Sequence, residues 1–68
     1  MEIFGKRVKK ELKEQGRTQI ELADFLNVRK STVSEWVNDN NEPPMEAIVE
    51  IAKFLRVSTD YLLGLEDD

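Results

Sequence analysis

The sequence predicts an all-α fold, a bundle of five short helices in a single small domain. Three observations carry this. Apolar residues recur every three or four positions and nowhere alternate over any length, which is the period of helices and not of strands. The 68 residues, 40% of them hydrophobic, suffice for one modest core and are too few for two domains. Gly16, Asn27, the run Asn38–Asn41 and Ser58 punctuate the periodic stretches with residues that cap helices or turn the chain.

In the first stretch Phe4, Val8 and Leu12 form one stripe, and Gly16 predicts a left-handed cap after it. The lysines between them read as a solvated helix face. Thr18-Gln19-Ile20-Glu21 fits a capping box, in which Thr18 accepts from the backbone of Glu21 and Glu21 reaches back to Thr18. The second helix carries Ile20, Leu22, Ala23, Phe25 and Leu26, apolar over much of its circumference, and Asn27 suits a left-handed turn. A third helix runs from about Lys30 to Asn38, burying Val33, Trp36 and Val37 and leaving Lys30, Ser31, Ser34, Glu35 and Asn38 outside. Trp36 lies on the core face, so it reads as packing rather than base stacking.

Asn38-Asp39-Asn40-Asn41 is a loop by composition. Pro44 suits the first turn of a fourth helix, with Glu46 at the positive end of its dipole and an apolar side of Met45, Ile48, Val49, Ile51, Ala52 and Leu55. Ser58 caps a last short helix with Tyr61, Leu62, Leu63 and Leu65. Residues 1–65 thus form the domain, and 66–68 a frayed acidic tail.

Composition removes several function classes. Cysteine and histidine are both absent, which takes away disulfides, thiol metal sites, the commonest zinc ligand and the commonest general base. No nucleophile–base pair stands out, and the expectation is a non-enzyme with no cofactor and no small-molecule substrate. The Asn38–Glu42 stretch lacks the glycine turn and ligand spacing of a calcium loop. No apolar run exceeds three residues, and the N-terminus has no apolar signal core, so the chain reads as soluble and cytoplasmic, with no membrane partner.

The net charge of −4 argues against nucleic acid when taken alone. Its distribution does not. Residues 1–37 hold eight Lys/Arg and six Asp/Glu, whereas residues 38–68 hold two and eight. One weakly basic face is enough to dock a small domain on DNA. The spacing from Gln19 through Ala23, Asn27, Val28 and Val33 to Trp36 is that of a helix-turn-helix, with small Ala23 allowing the two helices to approach.

The chain resembles the Cro/CI repressor family, the XRE-type helix-turn-helix domain, over nearly its whole length. Carrying the resemblance are Phe4-Gly5, Thr18-Gln19, Glu21-Leu22-Ala23, Leu26, Val28, Ser31-Thr32-Val33-Ser34, Trp36, Glu42-Pro43, Ile51-Ala52, Leu55, Val57-Ser58 and Asp60-Tyr61-Leu62-Leu63-Gly64. The resemblance implies a lambda-repressor-like five-helix bundle whose third helix enters the major groove of double-stranded DNA. It implies base contacts from Arg29, Lys30, Ser31, Ser34 and Glu35, and phosphate contacts from Gln19, Thr18, Asn38 and Asn40. Of Tyr61, Leu62, Leu63 and Leu65, some must complete the core and an exposed remainder would make a dimer patch; the resemblance likewise implies a homodimer paired near this C-terminal end, reading an inverted repeat as a repressor at the nucleoid.

Elementary electrostatics supports the basic pair. Arg29 and Lys30 sit at the positive end of a helix dipole, where stability alone favours Ser or Asp. Arg or Lys with guanine is the commonest specific contact, and Glu35 suits a cytosine amino group. The departures from the family pattern are Asn27 in place of the turn glycine, Glu11-Leu12 in place of Leu then Arg, Arg17 in place of an apolar staple, and amides in place of the basic residues at 38–41. Asn27 can adopt the turn conformation and Arg17 costs only the staple, whereas the missing arginine and the amides at 38–41 predict weaker phosphate attraction than the family norm. An antitoxin-like or other protein-interaction role, with the acidic half meeting a basic partner, is the alternative on the same fold.

Overall fold

The computed structural model describes residues 2–67. Its elements are α1 (Glu2–Gln15), α2 (Gln19–Leu26), α3 (Lys30–Val37), α4 (Met45–Leu55) and α5 (Thr59–Leu62). The described residues contain these five helices and no strand, as the periodicity predicts.

The caps explain where each helix stops. Gly16, at φ +66°, ends α1. The capping box of α2 is complete: Thr18 Oγ1 accepts from Glu21 N at 3.1 Å, and Thr18 N donates to Glu21 Oε1 at 3.0 Å. Asn27 closes α2 in the left-handed region at φ 59°. Ser58 caps α5 by accepting from Tyr61 N at 2.9 Å. Pro44 differs from expectation. It is the N-cap of α4, with extended backbone at φ −67° and ψ 159°, because a residue still outside the first turn needs no N–H bond there.

The core collects Phe4, Val8 and Leu12 of α1, Leu22 and Ala23 of α2, Val33, Trp36 and Val37 of α3, and Ile48, Ile51, Ala52, Phe54 and Leu55 of α4. Tyr61 and Leu62 of α5 close it. Burial sorts the apolar residues of the short helices, and two expectations are corrected, one on α4 and one on the C-terminal segment. Ile20 and Phe25 lie outside the core, because a surface helix of eight residues can bury only one face. Met45 and Val49 are exposed on α4, whereas Phe54 is buried. Tyr61 and Leu62 face inward and are 5% and 0% exposed, so their side chains cannot form a dimer patch. Leu63 is half-buried, and Leu65 is the fully exposed apolar residue of the segment.

Helices α1 and α3 meet where Gly5 faces the C-terminal end of α3. A Cβ built on Gly5 would lie 2.2 Å from the carbonyl oxygen of Val37. Glycine is therefore required in mid-helix, despite its poor helix propensity, because no side chain fits between the two backbones.

Three long side chains donate to backbone carbonyls at or just beyond the ends of α4 and α5. Gln15 Nε2 donates to Leu55 O at 2.8 Å. The Arg17 guanidinium donates to Phe54 O at 2.6 Å and stacks 3.4 Å from the centroid of the Phe54 ring. Phe54 in turn packs against Phe25, with centroids 5.1 Å apart. Arg17 thus replaces a hydrophobic staple with a cation lying on an aromatic face. Arg7 donates to Tyr61 O and to Glu66 O, at 2.5 and 2.6 Å, and lies 4.5 Å from the Tyr61 ring centroid. Ser58 Oγ also donates to the Glu66 carboxylate. Glu66 is consequently anchored and not frayed, a correction to the expected tail; Asp68 lies outside the described residues.

Arg56 is the C-cap of α4 at φ 59°, a region that costs an L-residue roughly 1–2 kcal/mol. Arg56→Gly is expected to raise stability by about 0.5–1 kcal/mol, the gain being trimmed by the freer unfolded chain. Urea denaturation would show it as a higher midpoint at unchanged slope.

Candidate nucleic-acid interface

The candidate surface is built by α2, the turn 27–29 and α3. Leu22 and Ala23 of α2 are buried in the core beside Val33 of α3. Between the helices the chain reverses at Asn27, whose N–H bonds Asp24 O, while Val28 N bonds Ala23 O. Amide chemistry makes this left-handed residue tolerable without glycine.

Helix α3 begins with a local anomaly. Its N-cap is Arg29, which makes no side-chain cap, and its first turn holds no acidic residue. The positive end of the dipole is thus left uncapped by side chains and reinforced by two cations, Arg29 and Lys30, both exposed. Such an end attracts an anion. With Val33, Trp36 and Val37 inside, the α-helical period places Ser31 and Glu35 farthest from the core, flanked by Ser34 and Asn38.

Each expected contact residue has a definite place. Ser31 and Glu35 are exposed, and Ser34 is half-buried with its Oγ accepting from Asn38 Nδ2 at 3.2 Å. Asn40 is exposed, and its backbone N–H donates to Glu35 O at 2.9 Å. Gln19 is half-buried at the first position of α2. Thr18 is different. Its hydroxyl accepts from Glu21 N and lies 3.2 Å from Glu21 Oε1, so the capping box already engages it as acceptor and donor. A phosphate would have to compete with those bonds.

Asn41 was not among the expected residues, yet its Nδ2 donates to Glu35 Oε1 at 3.0 Å. Five residues separate the two, the last of α3 and the start of the loop after it, and no local pattern encodes such a contact. Arg7 and Arg17 are subtracted from the basic face by their structural bonds. Of the cations in residues 1–37, Lys6, Lys9, Lys10, Lys13, Arg29 and Lys30 are exposed, Lys6 sharing Glu2 in a surface ion pair at 3.2 Å. No group of acidic residues among the described ones is arranged to hold a metal ion, and no described helix is long and apolar enough to cross a membrane.

Two helices joined by a short left-handed turn, the second presenting an uncapped basic N-terminus and a short polar face, define a helix-turn-helix domain of the DNA-binding type. The helix-turn-helix family model matches residues 8–62. The chain belongs to this family, the XRE-type helix-turn-helix domains of transcriptional regulators.

The chain is similar to the HTH-type transcriptional regulator ImmR of Bacillus subtilis (strain 168), 35% identical over 64 residues that make up 94% of this chain and 50% of the relative. It is also similar to an uncharacterized SPbeta prophage-derived HTH-type transcriptional regulator, YonR, of the same organism, 33% identical over 61 residues, 90% of this chain and 56% of the relative. The HTH-type transcriptional activator BcrR of Enterococcus faecalis is 38% identical over 50 residues, 74% of this chain and 24% of the relative. The chain spans about half the length of ImmR and of YonR. No solved structure matches the chain significantly.

Proposed function

We propose that this domain reads a specific operator in double-stranded DNA as a homodimer and represses transcription, with α3 in the major groove. The observation that carries the reading is the N-terminal end of α3: an uncapped helix end with exposed Arg29 and Lys30, followed by the outward Ser31, Ser34 and Glu35. This end is unfavourable for an isolated fold and favourable for a guanine edge or a phosphate. Gln19 at the start of α2, with Asn38 and Asn40 beyond α3, flanks it as neutral donors to the DNA backbone. Repression is the simpler mode, since an occupied operator blocks a promoter without a further surface. Leu63 and Leu65 are the residues of the C-terminal segment left for a partner copy.

Selection from a random pool of duplex DNA, at low and at moderate salt, tests the reading. The expected result is an inverted repeat with half-sites about 34 Å apart, the spacing of one turn of DNA. Failure to enrich any sequence at either salt would reject it. On the selected site, Lys30→Ala is expected to reduce affinity by about 1–3 kcal/mol while barely affecting random DNA. Gln19→Ala is expected to weaken selected and random sequences alike. Equal losses for Lys30→Ala on both DNAs would remove it from base reading.

A further inference from the structure

We propose that Asn41 is a positioning residue for base recognition: its side-chain amide holds the Glu35 carboxylate on the outer face of α3, poised to accept from the amino group of a cytosine. The inference rests on the DNA-reading role proposed above and deepens it by giving the loop between α3 and α4 a part in choosing the operator.

The loop is fastened to Glu35 at both ends of that residue. The backbone N–H groups of Asn40 and Asn41 donate to Glu35 O at 2.9 and 3.4 Å, and Asn41 Nδ2 donates to Glu35 Oε1 at 3.0 Å. An ionised carboxylate offers only acceptors, so the amide must face it with its NH2 group. The backbone bonds fix where Asn41 starts, and the amide bond then fixes where the Glu35 side chain points. Glu35 Oε2 carries no hydrogen bond among the described residues. One oxygen is thus tethered and the other is presented.

The position of the tethered group matters. Glu35 lies opposite the buried Val33–Trp36–Val37 face, on the line that Ser31 shares. A free glutamate on that line would sample many rotamers, and binding would have to order it. Here folding has already done so. Its partner is also a neutral amide, which brings no opposing charge to the carboxylate. An acceptor-only anion is repelled by phosphate, by guanine N7 and O6, and by thymine O4. Adenine offers an amino group beside the acceptor N7, whereas cytosine offers its amino group with no acceptor beside it in the major groove. Cytosine is the base that fits.

The test compares base preference in three proteins: wild type, Asn41→Ala and Glu35→Gln, each put through the duplex selection. Wild type is expected to select cytosine at one position of each half-site. Glu35→Gln should shift that position towards adenine, the usual partner of a glutamine amide. Asn41→Ala should keep the same site but lower the preference for cytosine over thymine there by about fivefold, the worth of one oriented hydrogen bond. Affinity for random DNA and the melting curve should be unchanged, since Asn41 is exposed. A purely structural role for Asn41 would instead lower all affinities together, without changing preference at one base. An operator whose base preferences are identical in all three proteins would overturn the inference and leave the DNA-reading role standing. Enrichment of no sequence by wild type would overturn that role and the inference with it.

Discussion

Gly5→Ala is expected to lower the stability of the domain by roughly 2 kcal/mol or more, although alanine is the better helix former. Propensity alone favours alanine by about 1 kcal/mol in a helix interior. Against this, the new Cβ would meet the carbonyl oxygen of Val37 at 2.2 Å and its carbonyl carbon at 2.8 Å. Both are backbone atoms, so no side chain can swing aside, and α1 must withdraw from the end of α3. Overpacking of this kind typically costs about 1–3 kcal/mol and sometimes more. A domain of this length has a total stability on the order of 3–10 kcal/mol, so the loss is a large share of it. Gly16→Ala supplies the contrast. Gly16 has open space where its Cβ would go, and its φ of +66° alone sets the cost, at about 1–2 kcal/mol. Urea denaturation of the two variants separates a clash from a strained dihedral. A Gly5→Ala protein as stable as wild type would show that α1 and α3 do not approach as described.

Leu62→Ala is expected to cost about 2–5 kcal/mol, the range for emptying a fully buried leucine site. The side chain is 0% exposed, at the junction of α5 with α1 and α4. The loss should be the same at every protein concentration, because the contact lies within one chain. Leu65→Ala, at a position 73% exposed, should leave the folded monomer's stability within about 0.5 kcal/mol of wild type. Its effect, if Leu65 meets a partner copy, should appear as weaker self-association in sedimentation. A Leu62→Ala midpoint that rises steeply with protein concentration would instead place Leu62 between chains.

The helices and their caps were legible because their determinants are local. Thr18 and Glu21 are three residues apart, and Ser58 needs only the N–H of Tyr61, so spacing alone predicts both bonds. Phe4, Val8 and Leu12 announce their common face by period. What the sequence left ambiguous was which apolar residues a short helix turns outward. α2 has apolar side chains around much of its girth, and only the placement of α4 decides that Leu22 is inside while Ile20 is not. The same holds for Tyr61 and Leu62 against Leu65.

Bonds between distant segments left no trace in the sequence. Arg17 with Phe54, Arg7 with Glu66 and Gln15 with Leu55 join residues that only the fold brings together. Arg7 and Arg17 therefore counted towards a basic face although the fold employs both. At the candidate interface, the outward set of α3 was readable from the inward set, whereas the tie of Asn41 to Glu35 depends on how an irregular loop returns.

The division of labour within α3 bears on how such a domain diverges. Val33, Trp36 and Val37 carry the helix's whole contribution to the core, and Arg29, Lys30, Ser31 and Glu35 carry none of it. Exchanges among the outer residues therefore cost the fold only tenths of a kcal/mol each. A lineage can rewrite them one at a time and stay folded throughout. Paralogues descended from one duplicated gene would then separate through substitutions that selection on folding cannot see.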